Sequence, residues 1–224
     1  MSSKNKPGTL LAWSSGKDSA WTLHKLRQAN EFEVVGLLTT FNQAFDRVAM
    51  HAVRHALVTA QTKAVELPLY EVPLPWPCSN TQYEQAMRKA LKEVQEEFAV
   101  THVAHGDLFL EDVRQYRHAF MQSTGLTPLF PIWGERTEQL AREMVESGLR
   151  ARITCIDPKK LSPDFAGRIY DNDFLDDLPE DVDPCGEFGE FHTFAYAGPM
   201  FHTPIPVTAG EVVERDGFVF ADII

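Results

Sequence analysis

The run Thr9-Leu10-Leu11-Ala12-Trp13 reads as a buried strand, and Ser14-Ser15-Gly16-Lys17-Asp18-Ser19 follows it at once, with a helical pattern beginning near Asp18. A strand that passes through a small, flexible turn straight into a helix is a β-α unit, and such units build parallel sheets. The turn also has a chemical consequence. The start of a helix carries unsatisfied N–H donors and the positive end of the helix dipole, so it stabilises an anion. Gly16 permits close backbone approach, Ser14, Ser15 and Ser19 add hydroxyl donors, and Lys17 adds a full positive charge. A Walker A loop is excluded, because no glycine lies five residues before Gly16 and Asp18 follows the lysine.

The β-α pattern continues. Further strands are predicted at Glu33–Thr39, Leu69–Val72 and Thr101–His105 from their short apolar runs. Tyr83, Met87, Leu91, Val94 and Phe98 recur at helical spacing, and Ser79 with Gln82 forms a capping-box pattern ahead of them. A helix is also predicted over Met50–Val65, with Pro68 after its end. Beyond Gly125 nine prolines break the chain into short pieces. That stretch holds a predicted helix at Glu135–Ser147, a strand at Ala151–Ile156 and a terminal hairpin around Asp216-Gly217. The expected organisation is a parallel-sheet α/β domain over 1–124 and a smaller α+β region over 125–224.

Charge and cysteine usage remove several classes of partner. Lys and Arg number 21 against 32 Asp and Glu, and a net charge of -11 opposes binding along a phosphate backbone, so nucleic acid is not an expected partner. Cys78, Cys155 and Cys185 are odd in number, widely spaced and without C-x-x-C spacing, which fits reduced thiols and speaks against a structural zinc site. No apolar stretch approaches the ~20 residues of a membrane span, and the expected location is the cytoplasm. Nothing in the sequence marks the oligomeric state, and a homo-oligomer stays open.

The turn Ser14–Ser19 resembles the S-G-G-x-D-S signature of the PP-loop ATP pyrophosphatases, with Ser15 in place of the first glycine. Further stretches resemble one branch of that superfamily, the diphthine–ammonia ligase family and its bacterial relatives. They are His51-Ala52-Val53-Arg54 with Gln61 and Leu67-Pro68-Leu69, then His105-Gly106-Asp107-Leu108, then Gly125 to Trp133. Last comes Asp183-Pro184-Cys185-Gly186-Glu187-Phe188-Gly189-Glu190-Phe191-His192-Thr193, similar to that family's C-G-E-G-G-E-[YF]-E-T. Phe188 stands at a glycine of that signature and His192 at an acid. Arg114 keeps one arginine of a family Y-Q-R-x-R run.

The resemblance implies a three-layer adenine nucleotide alpha-hydrolase-like fold. It also implies a ligase that adenylates a carboxylate with ATP, releases AMP and pyrophosphate, and captures the acyl-adenylate with ammonia. Trp13, Ser14, Ser15, Gly16, Lys17, Asp18, Ser19 and Gly106 would bind ATP, and Asp18 and Asp107 would hold Mg²⁺, a hard cation suited to carboxylates. Lys17, Asp18, Asp107, Glu187 and Glu190 would carry the chemistry, the two glutamates binding ammonium and taking its protons. His51, Arg114 and His192 would face a carboxylate acceptor of unknown identity. His51 and His55 lie one helical turn apart but lack the glutamate of H-E-x-x-H. Cys185 has no cationic neighbour in sequence and reads as a small packed residue. Three other readings stay open: a PP-loop sulfurtransferase, which would need paired cysteines and a basic extension; a nucleotide-binding sensor, which would not need Glu187 or Glu190; and an ATP alpha-hydrolase.

Overall fold

Leu10 and Leu11 are neighbours in sequence and both wholly buried, which a strand allows only when each of its faces is covered. They belong to β1 (Gly8–Ala12), central to a six-stranded sheet in a computed structural model that describes residues 6–45, 47–48 and 52–224. β1 pairs in parallel with β2 (Glu33–Asn42) on one side and with β5 (Val100–Ala104) on the other. β2 carries β4 (Leu69–Leu74) in parallel and the short β3 (Arg47–Val48) antiparallel. On the far side β5 carries β6 (Thr127–Leu129), a strand beyond residue 124, in parallel.

The helices divide between the two faces. Leu10, Leu38, Val72 and Val103 meet Met87, Leu91 and Val94 of α3 (Asn80–Glu97) and Phe120 and Met121 of α4 (Glu111–Gln122). Leu11, Leu37 and Ala104 share the other core with Trp21 and Leu23 of α1 (Lys17–Ala29) and Val58 and Val65 of α2 (His55–Val65). The predicted capping box is present on α3: Ser79 Oγ accepts from Gln82 N at 3.3 Å, and Gln82 Oε1 accepts from Ser79 N at 2.9 Å. One boundary is corrected. The helix predicted from Met50 begins at His55, because Ala52 has a left-handed φ of 54° and Arg54 is extended and bridged to Arg47. Arg47 and Arg54 both pair with Asp222, which ties this entry into α2 to the end of the chain.

The second sheet is antiparallel. β7 (Arg150–Ile156) pairs with β8 (Ile169–Tyr170), β9 (Phe191–Ala197) and β11 (Phe218–Ile223), and β10 (Ala209–Arg215) closes the hairpin with β11. Asp216 (φ 52°) and Gly217 (φ 80°) both take positive φ, as the tight hairpin turn predicted for that dipeptide demands. Two helices, α5 (Thr137–Glu146) and α6 (Asn172–Asp177), accompany this sheet. Among the described residues no helix is long and apolar enough to cross a membrane.

The parallel strands run in the order β4-β2-β1-β5-β6. The chain therefore winds outward from β1 in one direction and then returns to build on its other side. In open sheets of this kind ligands bind where the order reverses, outside the carboxyl ends of the strands, here β1 and β5.

Candidate active site

The loop after β1 is held from the second sheet. Gln61 Nε2 donates to Ser15 O (2.9 Å) and to Ala195 O (2.6 Å), while Gln61 Oε1 accepts from Trp13 Nε1 (2.8 Å). Ala195 N also donates to Ser15 O (3.0 Å), and Lys17 N donates to Thr193 Oγ1 (3.0 Å). Ser15 takes a left-handed φ of 71°, a conformation in which glycine is unstrained and other residues are not. This accounts for a glycine at that place in the signature that the loop resembles. The backbone donors are less free than the sequence suggests. Gly16 N donates to Ser14 Oγ at 3.3 Å and Lys17 N to Thr193, so two of them already have neutral hydroxyl partners.

β5 ends against the same helix start. A Cβ on Gly106 would lie 3.1 Å from Asp18 C, Asp18 O and Thr22 Oγ1, a tight contact that a glycine avoids where β5 runs against the start of α1. Together the strand ends enclose a cavity of about 380 Å³. Its apolar lining includes Ala12, Leu38, Val48, Met87 and Val103. Its polar lining comes from Ser14, Lys17, Asp18 and Ser19, from Tyr83, His105, Asp107 and Arg117, and from Glu187, His192 and Thr193.

Lys17 is 2% exposed, and its ammonium donates to both carboxylate oxygens of Asp18 (2.9 Å each) and to Cys185 O. The rings of Tyr170 and Phe191 each lie 5.5 Å from it. Burial works against this charge, but Asp18 and further acidic neighbours outweigh it and hold its pKa above the ordinary lysine value. Cys185 thus has a cationic neighbour that its sequence surroundings lack. Burial still drives its thiol far above the usual range, against the opposing pull of Lys17, which disfavours the reactive thiolate.

Gly186, Glu187, Phe188 and Gly189 form a tight turn closed by Gly189 N donating to Gly186 O (3.0 Å), with both glycines at positive φ. The turn separates the two glutamates. Glu187 lines the cavity and accepts from Leu108 N at 2.9 Å; burial chiefly, with Asp18 and Asp107 adding, pushes its carboxyl up to about 7. Glu190 is 3% exposed, does not line the cavity, and accepts from Asp183 N (3.1 Å), while its backbone carbonyl receives Asp157 N (2.9 Å). His192 lines the cavity, where burial and then Lys17 lower its pKa to about 4, so it is neutral near pH 7.

Of the residues expected from sequence, Trp13, Ser14, Lys17, Asp18, Ser19, Gly106, Asp107, Glu187 and His192 meet around one cavity. Ser15 and Gly16 belong to the loop beneath it. Arg114 lies apart, its guanidinium 4.5 Å from the Trp133 ring, and His51 falls outside the described residues. The arginine on the cavity is Arg117, whose Nε lies 3.4 Å from Asp107 Oδ2. Sequence reasoning singled out neither Arg117 nor Tyr83 and gave no role to Gln61, His105 or Thr193. A signal for α4 existed: Glu111-Asp112 ahead of Val113, Tyr116 and Phe120, an acidic first turn followed by i, i+3, i+7 apolar spacing.

Residues 8–128 match the family described as diphthamide synthase N-terminal domain, and residues 136–222 the one described as diphthamide synthase C-terminal domain. The chain is similar to the diphthine–ammonia ligases of Bos taurus and Homo sapiens, 27% identical to each over 231 residues that cover 94% of this chain and 86% of theirs. It is also 27% identical to that of Danio rerio over 230 residues, covering 94% of this chain and 90% of the relative.

Proposed function

The chain belongs to the diphthamide synthase family, and from that premise we propose that it is an ATP-dependent ligase that turns a carboxylate into an amide with ammonia. The observation that carries this reading is the meeting of an anion-stabilising helix start and a raised-pKa carboxylate, Glu187, on one cavity at the reversal of the sheet.

The adenine base would take the apolar lining beside Leu38, Met87 and Val103, and the pyrophosphate the Ser14–Ser19 loop. There phosphate oxygens would displace the hydroxyls now bonded to Gly16 N and Lys17 N, since hydrogen bonds to an ionised acceptor are stronger than neutral ones. An oxygen of the acceptor carboxylate attacks the α-phosphorus, the bond to the β-phosphate oxygen breaks, and pyrophosphate leaves with its charge stabilised by the helix start and Lys17. Ammonia then attacks the carbonyl carbon of the acyl-adenylate and AMP departs. Glu187 takes the proton that the attacking nitrogen must lose, a task matched to a pKa near the working pH. Glu190 keeps the turn in place from beneath.

Asp18 and Asp107 suit Mg²⁺, which takes one or two protein carboxylates and completes its octahedron with substrate phosphates and water. Both carboxylates line the cavity that would take the phosphates. When bound there, the ion would neutralise phosphate charge.

The test is to incubate the protein with ATP, Mg²⁺, ammonium and a panel of carboxylates and identify the products. AMP, pyrophosphate and an amide are expected, and ADP with phosphate would sink the reading. AMP and pyrophosphate without an amide would leave an ATP alpha-hydrolase, and no turnover in any mixture would favour a nucleotide sensor.

A further inference from the structure

Arg117 reaches the cavity from α4, on the wall across β5 from the phosphate loop. Its side chain is 27% exposed, and its partners are Asp107, at a long 3.4 Å, and Tyr83. A guanidinium has five donors in a planar fork, more than these two contacts use. Beside it on the same wall is His105, 2% exposed, with neither ring nitrogen bonded to any described residue. Its ring stacks on Phe130 at 5.7 Å, which fixes the plane of the imidazole without satisfying it. An unsatisfied polar side chain this deeply buried costs stability, and it marks this wall as one built for something other than packing alone.

The charges around Arg117 narrow the ligand. Asp107 touches it, and Glu187 is near enough to Asp107 and to the Lys17–Asp18 pair to feel their charges. With the triphosphate, and a Mg²⁺ that Asp18 and Asp107 would hold, on the loop side, the anion left for the Arg117 fork is the acceptor's own. We infer that Arg117 binds the carboxylate of the acceptor, a small or side-chain organic acid. The assignment rests on the ligase reading above. One N–H of Arg117 donates to one carboxylate oxygen and leaves the other to attack the α-phosphorus. In the acyl-adenylate the held oxygen is the carbonyl oxygen. When ammonia adds to the carbon, the negative charge grows on that oxygen, where the guanidinium already stands.

The experiment uses α,β-methylene-ATP with Mg²⁺ as the nucleotide and acetate, succinate and benzoate as carboxylate probes, against chloride at equal ionic strength. Calorimetry gives the nucleotide affinity of wild-type protein, R117Q and R117K, and thermal shift of the nucleotide complex reports carboxylate binding. Wild-type protein should show a saturable response to at least one carboxylate. R117Q should bind that carboxylate about ten- to a hundredfold more weakly, the effect of losing a hydrogen bond to a charged group, with unchanged nucleotide affinity. R117K should recover part of the loss, since the charge returns without the fork. An undiminished carboxylate response in R117Q, no saturable response in wild type, or a parallel fall in nucleotide affinity overturns the assignment. Normal nucleotide binding with any of the first two outcomes removes the role of Arg117 alone; wild-type protein that binds no nucleotide removes the ligase reading with it.

Discussion

Two parts of the cavity lining are built differently. The phosphate-loop wall is a buried seam between the two sheets, with Gln61 bonded to Trp13, Ser15 and Ala195, Thr193 bonded to Lys17 N, and Lys17 sealed under Tyr170 and Phe191. The rest of the lining is looser: in the Gly186–Gly189 turn Phe188 is 55% exposed and touches Phe109 edge to face at 5.3 Å. Arg117 meets Asp107 only at 3.4 Å. On the proposed reading, the difference shows how a ligase can divide its reactants. The part that would hold ATP is fixed by buried bonds from both sheets, while the part that would meet the acceptor is more exposed and carries Phe188 at a glycine position of the signature.

The heaviest blow to this contrast is Lys17→Ala. It leaves Asp18 and the Cys185 carbonyl without their buried cation, and the loss of one member of a buried pair costs about 3–5 kcal/mol. Denaturant unfolding should show that loss, and AMP formation should vanish even under conditions where circular dichroism reports folded protein. A variant that keeps full stability would mean that the seam does not depend on Lys17.

Next comes Glu187→Gln in the looser lining. The amide can still accept from Leu108 N, so folding and nucleotide affinity should hold while kcat for amide formation falls by about 10²–10⁴. The sign of the pH effect follows from the raised pKa. A base lifted to about 7 is protonated and idle below that pH, so the wild-type rate should climb as pH rises through 7, and the variant should lose that limb. An unaltered limb would assign the titration to another group.

Gln61→Ala should cost about 1–3 kcal/mol, because the Trp13 indole N–H loses its partner in a buried seam. The same variant should bind nucleotide more weakly, although Gln61 does not line the cavity. The smallest effect is expected from Ser15→Gly, which relieves the left-handed strain and removes a buried, unpartnered hydroxyl at the cost of a more flexible unfolded chain. A net gain of up to about 1 kcal/mol should raise Tm by ~2–4 °C. A fall in Tm would show that the Ser15 hydroxyl contributes a contact.

Local patterns were legible. Apolar runs located β1, β2, β4, β5 and β7, helical spacing with a capping box located α3, and Asp216-Gly217 located the last hairpin, because each depends on neighbours within a few residues. The short strands β3, β6 and β8 and the helices α4 and α6 were not read. Strands of two or three residues owe their pairing to distant partners, and α4 lies just past the motif that drew attention to Asp107. Within the site, the sequence by itself singled out the Ser14–Ser19 loop and the carboxylates Asp18, Asp107 and Glu187, which meet on one cavity, because turn chemistry and residue type are written locally. Only the tertiary structure decided that Glu187 faces the cavity while Glu190 turns away, that Arg117 and not Arg114 reaches it, and that β9 completes the phosphate loop. Those outcomes depend on which side of a turn or helix meets the cavity, and for β9 on a segment 176 residues from its partner Lys17, and spacing along the sequence carries no record of that meeting in space.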